Sequence, residues 1–184
     1  GFIDCHTHMS MGGLDLLAMD LRKTKDPAEF TRIVAEYAKK QPPGVWLTDG
    51  AWDHQQWTPV RLPTKADLDP ATGDHPTCLS RQDGHMMVCN TLALKAGGVT
   101  RDTPNPPGGE IVRDARGNPT GLLLAKPNAT ILYATLAKGP KLPPEYQKNS
   151  TRHFMREVNR LGVTGVIDAG GGYQNYPEDY SIIE

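Results

Sequence analysis

Gly1-Phe-Ile-Asp-Cys-His-Thr-His8 opens the chain and constrains how the rest is read. It reads as a short buried strand that turns polar at its carboxyl end. Residues i and i+2 of a strand leave the same face, so His6 and His8 can converge on one ion, and Asp4 shares their face. Neutral imidazole is a common ligand for zinc and its neighbours. Two polar residues at a solvated strand end, with Asp4 in an ion pair or turn contact, would give the same pattern. Spacing alone does not choose between them.

Downstream, Asp26–Lys40 is expected to be a helix. Asp26 suits the N-cap, Pro27 the first helical position, and Glu29 a capping box. Phe30, Ile33, Val34, Tyr37 and Ala38 form one apolar stripe, and Pro42-Pro43-Gly44 ends it. Val45–Thr48 then reads as a strand. From Gly50 to about Pro140 the pattern changes to short strand candidates at Thr77–Ser80, Met86–Cys89, Glu110–Val112 and Gly121–Ala125. A hairpin turn is expected over Asp114–Asn118, and a short helix over Leu92–Ala96 ending at Gly97-Gly98. A second amphipathic helix is predicted over Pro144–Leu161, with Phe154, Met155, Val158 and Leu161 as its core face. The β-branched strand Val163–Ile167 follows, and the sequence continues Asp168-Ala-Gly-Gly-Gly172. Strand, helix and strand at both ends imply parallel βα units.

The 184 residues hold 19 Gly and 16 Pro, roughly a fifth of the chain against about 12% in average usage. A long helical bundle is therefore disfavoured. Lys and Arg number 20 and Asp and Glu 21, so no basic excess points to nucleic acid or a membrane surface. No apolar run approaches the roughly 20 residues of a membrane span, and no signal-peptide pattern is visible. The expected location is the cytoplasm. Because residue 1 is Gly rather than Met, an upstream segment is also expected. Cys5, Cys78 and Cys89 lack CxxC spacing; Cys78 and Cys89 lie in apolar runs and read as buried thiols, not a disulfide framework.

Three further groups of residues have chemical potential. Lys126 follows the apolar run Leu122–Ala125. A desolvated lysine there would have a depressed pKa and react with carbon dioxide to a carbamate bridging two cations; otherwise it marks the strand end with its ammonium in solvent. In Arg81-Gln-Asp-Gly-His85, Asp83 and His85 are either polar groups of a substrate pocket or parts of a hairpin turn. Asp49-Gly-Ala-Trp-Asp-His54 reads similarly, with Trp52 and Asp53 at a pocket, or with Trp52 and Trp57 packing a small core. His54, His75 and His153 have no evident partner in the sequence.

Taken in order, GFIDCHTH, GAWDHQQW, LPTKADLD, HPTCLSRQDGHMMVCNTLALKAGG, TPNPPGGEIVRDARGNPTGLL and LGVTGVIDAGGG resemble the YtcJ-like group of the amidohydrolase superfamily (amidohydrolase family 3), which includes N-substituted formamide deformylase-like enzymes. The resemblance covers nearly the whole chain. It implies an α/β fold, a partial metal-dependent hydrolase (β/α)8 barrel carrying an irregular α+β insertion. The boundaries it suggests are first barrel βα units over 1–49, the insertion over 50–142, and a further barrel helix and strand over 143–184. It implies one or two divalent ions, expected to be zinc, held by His6 and His8, with Lys126 as the carboxylated bridge. It further implies hydrolysis of a C–N bond of a small amide-type substrate by a metal-activated hydroxide, and the pocket residues read above, Asp83, His85, Trp52 and Asp53, are expected at that substrate. The proton-shuttling aspartate is expected beyond Glu184. A complete barrel needs at least ~200 residues, so the chain reads as the amino-terminal portion of a larger enzyme. The competing expectation is a non-catalytic metal- or ligand-binding fragment that forms a homo-oligomer.

Overall fold

The computed structural model describes residues 1–9, 19–126, 143–169 and 181. The chain divides into two compact units, one of Gly1–Ala18 with Lys141–Glu184 and the other of Met19–Pro140.

The Met19–Pro140 unit is built on a five-stranded mixed sheet. Its strands are β2 (Leu47–Trp52), β3 (Thr77–Arg81), β4 (Met86–Cys89), β5 (Gly109–Arg113) and β6 (Pro119–Ala125), in the spatial order β2-β3-β4-β6-β5. β2 and β3 are parallel, joined through helix α2 (Lys65–Thr72); the other pairs are antiparallel. The apolar runs of β3, β4 and β6 are nearly continuous because the sheet is covered on both faces. Leu79, Val88 and Leu122 point to one core, with Phe30, Val34, Trp52, Trp57 and Leu68. Cys78, Met87, Cys89 and Leu123 alternate with them and enter a second core, with Ala93, Leu94 and Ile111. The strand candidates and the Asp114–Asn118 turn are found where the sequence places them. The turn is closed by the Asp114 amide donating to the Asn118 carbonyl at 2.9 Å.

Helix α1 (Pro27–Ala38) buries Phe30, Val34 and Ala38 and packs against α2. Its Asp26 cap accepts the Glu29 amide at 2.7 Å. Glu29 reaches past the cap to the Lys25 amide at 2.9 Å, so the expected reciprocal box is shifted outward by one residue. The full box belongs to α2, between Thr64 and Asp67. Arg61 holds that Asp67 through both guanidinium nitrogens, at 2.9 and 2.6 Å. Helix α3 (Thr91–Ala96) is capped by Asn90, whose side chain is buried and also bonds Thr72, His75 and Thr77.

In β2, Asp49, Gly50 and Ala51 all have positive φ (68°, 103° and 52°). This left-handed run inserts one extra residue opposite β3, whose register passes from Asp49↔Leu79 to Trp52↔Arg81. Gly50 is required twice over, by its φ and because a Cβ there would lie 2.8 Å from Leu21. Gly121 is equally constrained: a Cβ would come within 2.4 Å of the Cys89 carbonyl and 2.8 Å of the Lys65 amide.

The other unit contains the parallel pair β1 (Phe2–Thr7) and β7 (Val163–Asp168), with helix α4 (Pro144–Arg160) against β7. Here the sequence reading needs correction. β1 is exposed at every position but Thr7, with Phe2 and Ile3 above 70% exposed. The expected core face of α4 is also poorly covered: Met155 and Leu161 are exposed, Phe154 and Val158 half-buried, and Ser150 and Thr151 are the buried positions. Periodicity identifies an apolar stripe; a two-stranded sheet does not offer enough surface to cover it. No helix among the described residues is long and apolar enough to cross a membrane.

Candidate functional site

In the β1–β7 unit, the carboxyl ends of the two parallel strands lie side by side. Thr7 pairs with Asp168, and the Ala169 amide donates to the Thr7 carbonyl at 2.7 Å. An irregularity between Asp4 and Thr7 places one extra residue in β1 before this end. Asp4 turns back on the bulge and accepts the His6 amide at 3.0 Å, which holds its carboxyl below the usual range. It therefore makes a turn contact, one of the alternatives open from sequence. His6 and His8 are exposed and face each other edge on, with ring centroids 5.3 Å apart. Across the pair, the Asp168 carboxylate accepts the Met9 amide at 3.3 Å and so fixes the backbone just after His8. Carboxyl ends of parallel strands are where α/β folds place ligands. Two imidazoles at this spacing fit part of a first-row metal's ligand set. No group of three His, Cys, Asp or Glu that could hold an ion is found among the described residues. Gly170–Gly172, which follow Ala169, lie outside the described residues.

The Met19–Pro140 unit brings Trp52, Asp53 and Asp83 together. The Trp52 indole is buried and donates to the Leu79 carbonyl at 2.8 Å. The left-handed run directs the chain so that Asp53, also buried, caps the short 3-10 turn His54–Gln56. Its carboxylate accepts the Gln55 amide at 3.1 Å, the Gln56 side chain at 3.2 Å and the Gln82 side chain at 2.9 Å. Burial pushes the Asp53 carboxyl up, but the Gln55 and Gln56 donors with the Arg81 and His54 charges outweigh it, and the net pKa is lowered. Arg81 lies between two carboxylates, 3.6 Å from Asp53 and 2.5 Å from Asp83. Asp83 shapes the following turn: it accepts the His85 amide at 3.1 Å, and its carbonyl is 2.6 Å from His85 Nδ1.

Sequence reasoning assigned no role to Arg81 and found no partner for His54, yet both belong to this cluster. The His54 ring lies 5.9 Å from that of Trp52. Burial, then the Arg81 charge, lowers its pKa. His54 Nδ1 and Arg81 Nε are both buried without a hydrogen-bond partner. The signal was present in the arrangement Trp-Asp-His and Arg-Gln-Asp at the ends of adjacent strands, but only the parallel register of β2 and β3 reveals it. Just upstream, burial pushes the Asp49 carboxyl up, offset in part by the Thr48 hydroxyl at 3.0 Å. Trp57 is a core residue: it packs on Phe30 and donates to the Thr24 hydroxyl at 3.0 Å.

Lys126 follows β6 in the same unit. Its side chain is 61% exposed, and its ammonium pairs with Glu110 on the neighbouring β5. The arrangement is that of a solvated strand-end lysine.

A family model described as the amidohydrolase family matches residues 1–184. The chain belongs to the amidohydrolase family. Its relatives include Protein LONG AFTER FAR-RED 3 of Arabidopsis thaliana, 38% identical over 181 residues, which cover 98% of this chain and 30% of that protein. A Bacillus subtilis (strain 168) protein named as an amidohydrolase, YtcJ, is 33% identical over 165 residues, 90% of this chain and 30% of that protein. The N-substituted formamide deformylase of Arthrobacter pascens is 33% identical over 173 residues, 92% of this chain and 32% of that protein. The mixed α/β fold is shared with an uncharacterized metal-dependent hydrolase from Pyrococcus horikoshii OT3. That likeness has a TM-score of 0.57 at 22% identity, over 90% of this chain and 30% of that one. The chain thus spans about a third of the length of the relatives it matches. The expected YtcJ-like membership and mixed α/β class are borne out.

Proposed function

We propose that this amidohydrolase-family chain supplies the first metal ligands of a metal-dependent hydrolase that cleaves an amide-type C–N bond in a small molecule. The observation that carries this reading is the edge-on pair His6 and His8 at the carboxyl end of β1, beside the end of the parallel β7. The relative named for N-substituted formamide supports the bond type. β1 and β7 fit adjacent strands of a (β/α)8 barrel, whose active sites gather at the strands' carboxyl ends.

His6 and His8, as neutral imidazoles, would hold one of one or two divalent ions, zinc being well suited to this donor type. A bound divalent ion supplies Lewis acidity, lowering the pKa of water and polarising an acyl oxygen. Asp168 acts on the backbone following His8, keeping the imidazole's approach fixed. Asp83, His85 and Asp53 are proposed to orient the substrate, with Arg81 tying the two carboxylates in place; Trp52, the fourth pocket residue expected from sequence, is wholly buried and serves the core instead. The role of Lys126 as a carbamate bridge rests on the family resemblance, and it requires Lys126 to give up its pair with Glu110. The proton-shuttling aspartate is assigned to sequence following Glu184, and the reaction to the cytoplasm.

The exposure of Phe2, Ile3 and Ile167 favours a second reading, in which the 184 residues act as a metal- or ligand-binding fragment that oligomerises without turnover. Metal analysis and an amide-hydrolysis screen on this chain and on a longer form separate the two. Replacing both His6 and His8 with Ala should weaken metal binding by more than the ~10–100-fold typical of losing an outer-shell partner. Unchanged metal content would remove both residues from the site. Two tightly held ions with turnover from the 184 residues alone would sink the fragment reading, whereas metal binding without turnover in the longer form would sink the hydrolase reading.

A further inference from the structure

Cys78 on β3 and Cys89 on β4 are register partners. The Asn90 amide donates to the Thr77 carbonyl at 2.9 Å, so Thr77 and Asn90 form a hydrogen-bonded pair. The next pair inward, Cys78 and Cys89, is therefore of the non-hydrogen-bonded kind. At such positions Cα atoms approach to about 4.5 Å, with side chains closer together than in hydrogen-bonded pairs. A disulfide accepts Cα separations of roughly 4.4–6.8 Å. Both side chains leave the same face of the sheet, into the core formed with Met87, Ala93, Leu94 and Leu123, and both are completely buried.

We propose that Cys78 and Cys89 are a disulfide-forming pair, oxidised by exchange with a low-molecular-weight disulfide of the glutathione type. One thiol loses its proton and attacks the disulfide RSSR, releasing RS⁻ and forming a mixed disulfide. The second cysteine then attacks the protein sulfur of that bond, releasing a second RS⁻. The two protons protonate the leaving thiolates, so the balance is two cysteine thiols and one RSSR to one protein disulfide and two RSH. Burial, reinforced by the neighbouring Cys78 thiol, pushes the Cys89 thiol well up. Both sulfurs are shielded in the folded sheet, and exchange proceeds through opening of the β3–β4 hairpin. The bond would close the ten residues from Leu79 to Val88, which include the Arg81–His85 turn, clamping that turn at its base.

The test uses the 184-residue chain with exposed Cys5 replaced (C5S), leaving two thiols. It is incubated folded with oxidised glutathione, and also refolded from denaturant in a reduced/oxidised glutathione buffer, then alkylated and mapped by peptide mass spectrometry. The refolded sample should contain the Cys78–Cys89 crosslink as its principal oxidised form. The crosslink should raise Tm by about 5–10 °C, an increase reversed by dithiothreitol. C78S should abolish the crosslinked species. Recovery of free thiols or only glutathione adducts after refolding would overturn the proposal, as would a crosslink that lowers Tm.

Discussion

The two parallel strand pairs, β2–β3 and β1–β7, use the same device in opposite settings. In each, the first strand carries one extra residue just before the polar positions it presents: Asp53 after the irregularity in β2, His8 after that in β1. β2–β3 is sealed by cores on both faces of its sheet. β1–β7 leaves Phe2, Ile3 and Ile167 more than half exposed. Presenting a polar side chain at a strand end is thus a property of local register, while stabilising it is a property of burial, and the molecule separates the two.

Mutational stability gives the largest test of this contrast. Trp52→Ala should destabilise the Met19–Pro140 unit by about 3–5 kcal/mol, whereas Ile3→Ala should change stability by less than about 0.5 kcal/mol. Comparable costs in urea denaturation would break the comparison. Hydrogen exchange should show the same ordering without mutation: amides of β3, β4 and β6 should exchange at least ~100-fold more slowly than those of β1 and β7.

Smaller effects sharpen the account of the buried unit. Asp67→Asn removes the acceptor shared by Thr64 and Arg61 and should cost about 1–2 kcal/mol. Burial alone would raise the Asp67 carboxyl, but the Arg61 pair and the Thr64 amide outweigh it and lower the folded pKa below the ordinary 3.8. Its stabilisation is therefore complete above that value and is lost as pH falls through the lower folded one. Acid titration of the Asn variant should lack this part of the decline. At the small end, Lys126→Met should alter stability by at most about 0.5 kcal/mol, because its partner Glu110 is met at an exposed edge.

Much of the Met19–Pro140 unit was legible because its signals are local. Asp26-Pro27 marks a helix start, the Met86–Cys89 and Leu122–Ala125 runs mark strands covered on both faces, and Asp114–Asn118 marks a turn. Helix α2 was missed: Pro70 lies inside it and its charged sequence has little apolar periodicity, although Thr64-x-x-Asp67 signals its start. β2 was cut short at Thr48 because Asp-Gly-Ala resembles a turn, when it is a left-handed step inside the strand. For the site, the adjacency of His6 and His8 followed from spacing. The convergence of Asp53, His54 and Arg81 depends on register between distant segments, as does the facing of Cys78 and Cys89. Neither is encoded in any one stretch of sequence. Lys126 shows the reverse limit: an apolar run before a lysine says nothing about what stands beside its ammonium, here Glu110.

The extra residue in β2 makes this segment far more sensitive to the length of the chain than to its composition. Strand faces alternate with every residue, and the step at Asp49–Ala51 resets that parity so that Trp52 enters the core with Leu79. Deleting Ala51 would leave Trp52 opposite Arg81 on the Leu79 face, whereas inserting one residue before Trp52 would turn the indole to the opposite face and put the new residue in its place. Ala51→Gly, by contrast, would merely ease a left-handed residue. A gene library that tolerates substitutions here should therefore still reject single-codon insertions.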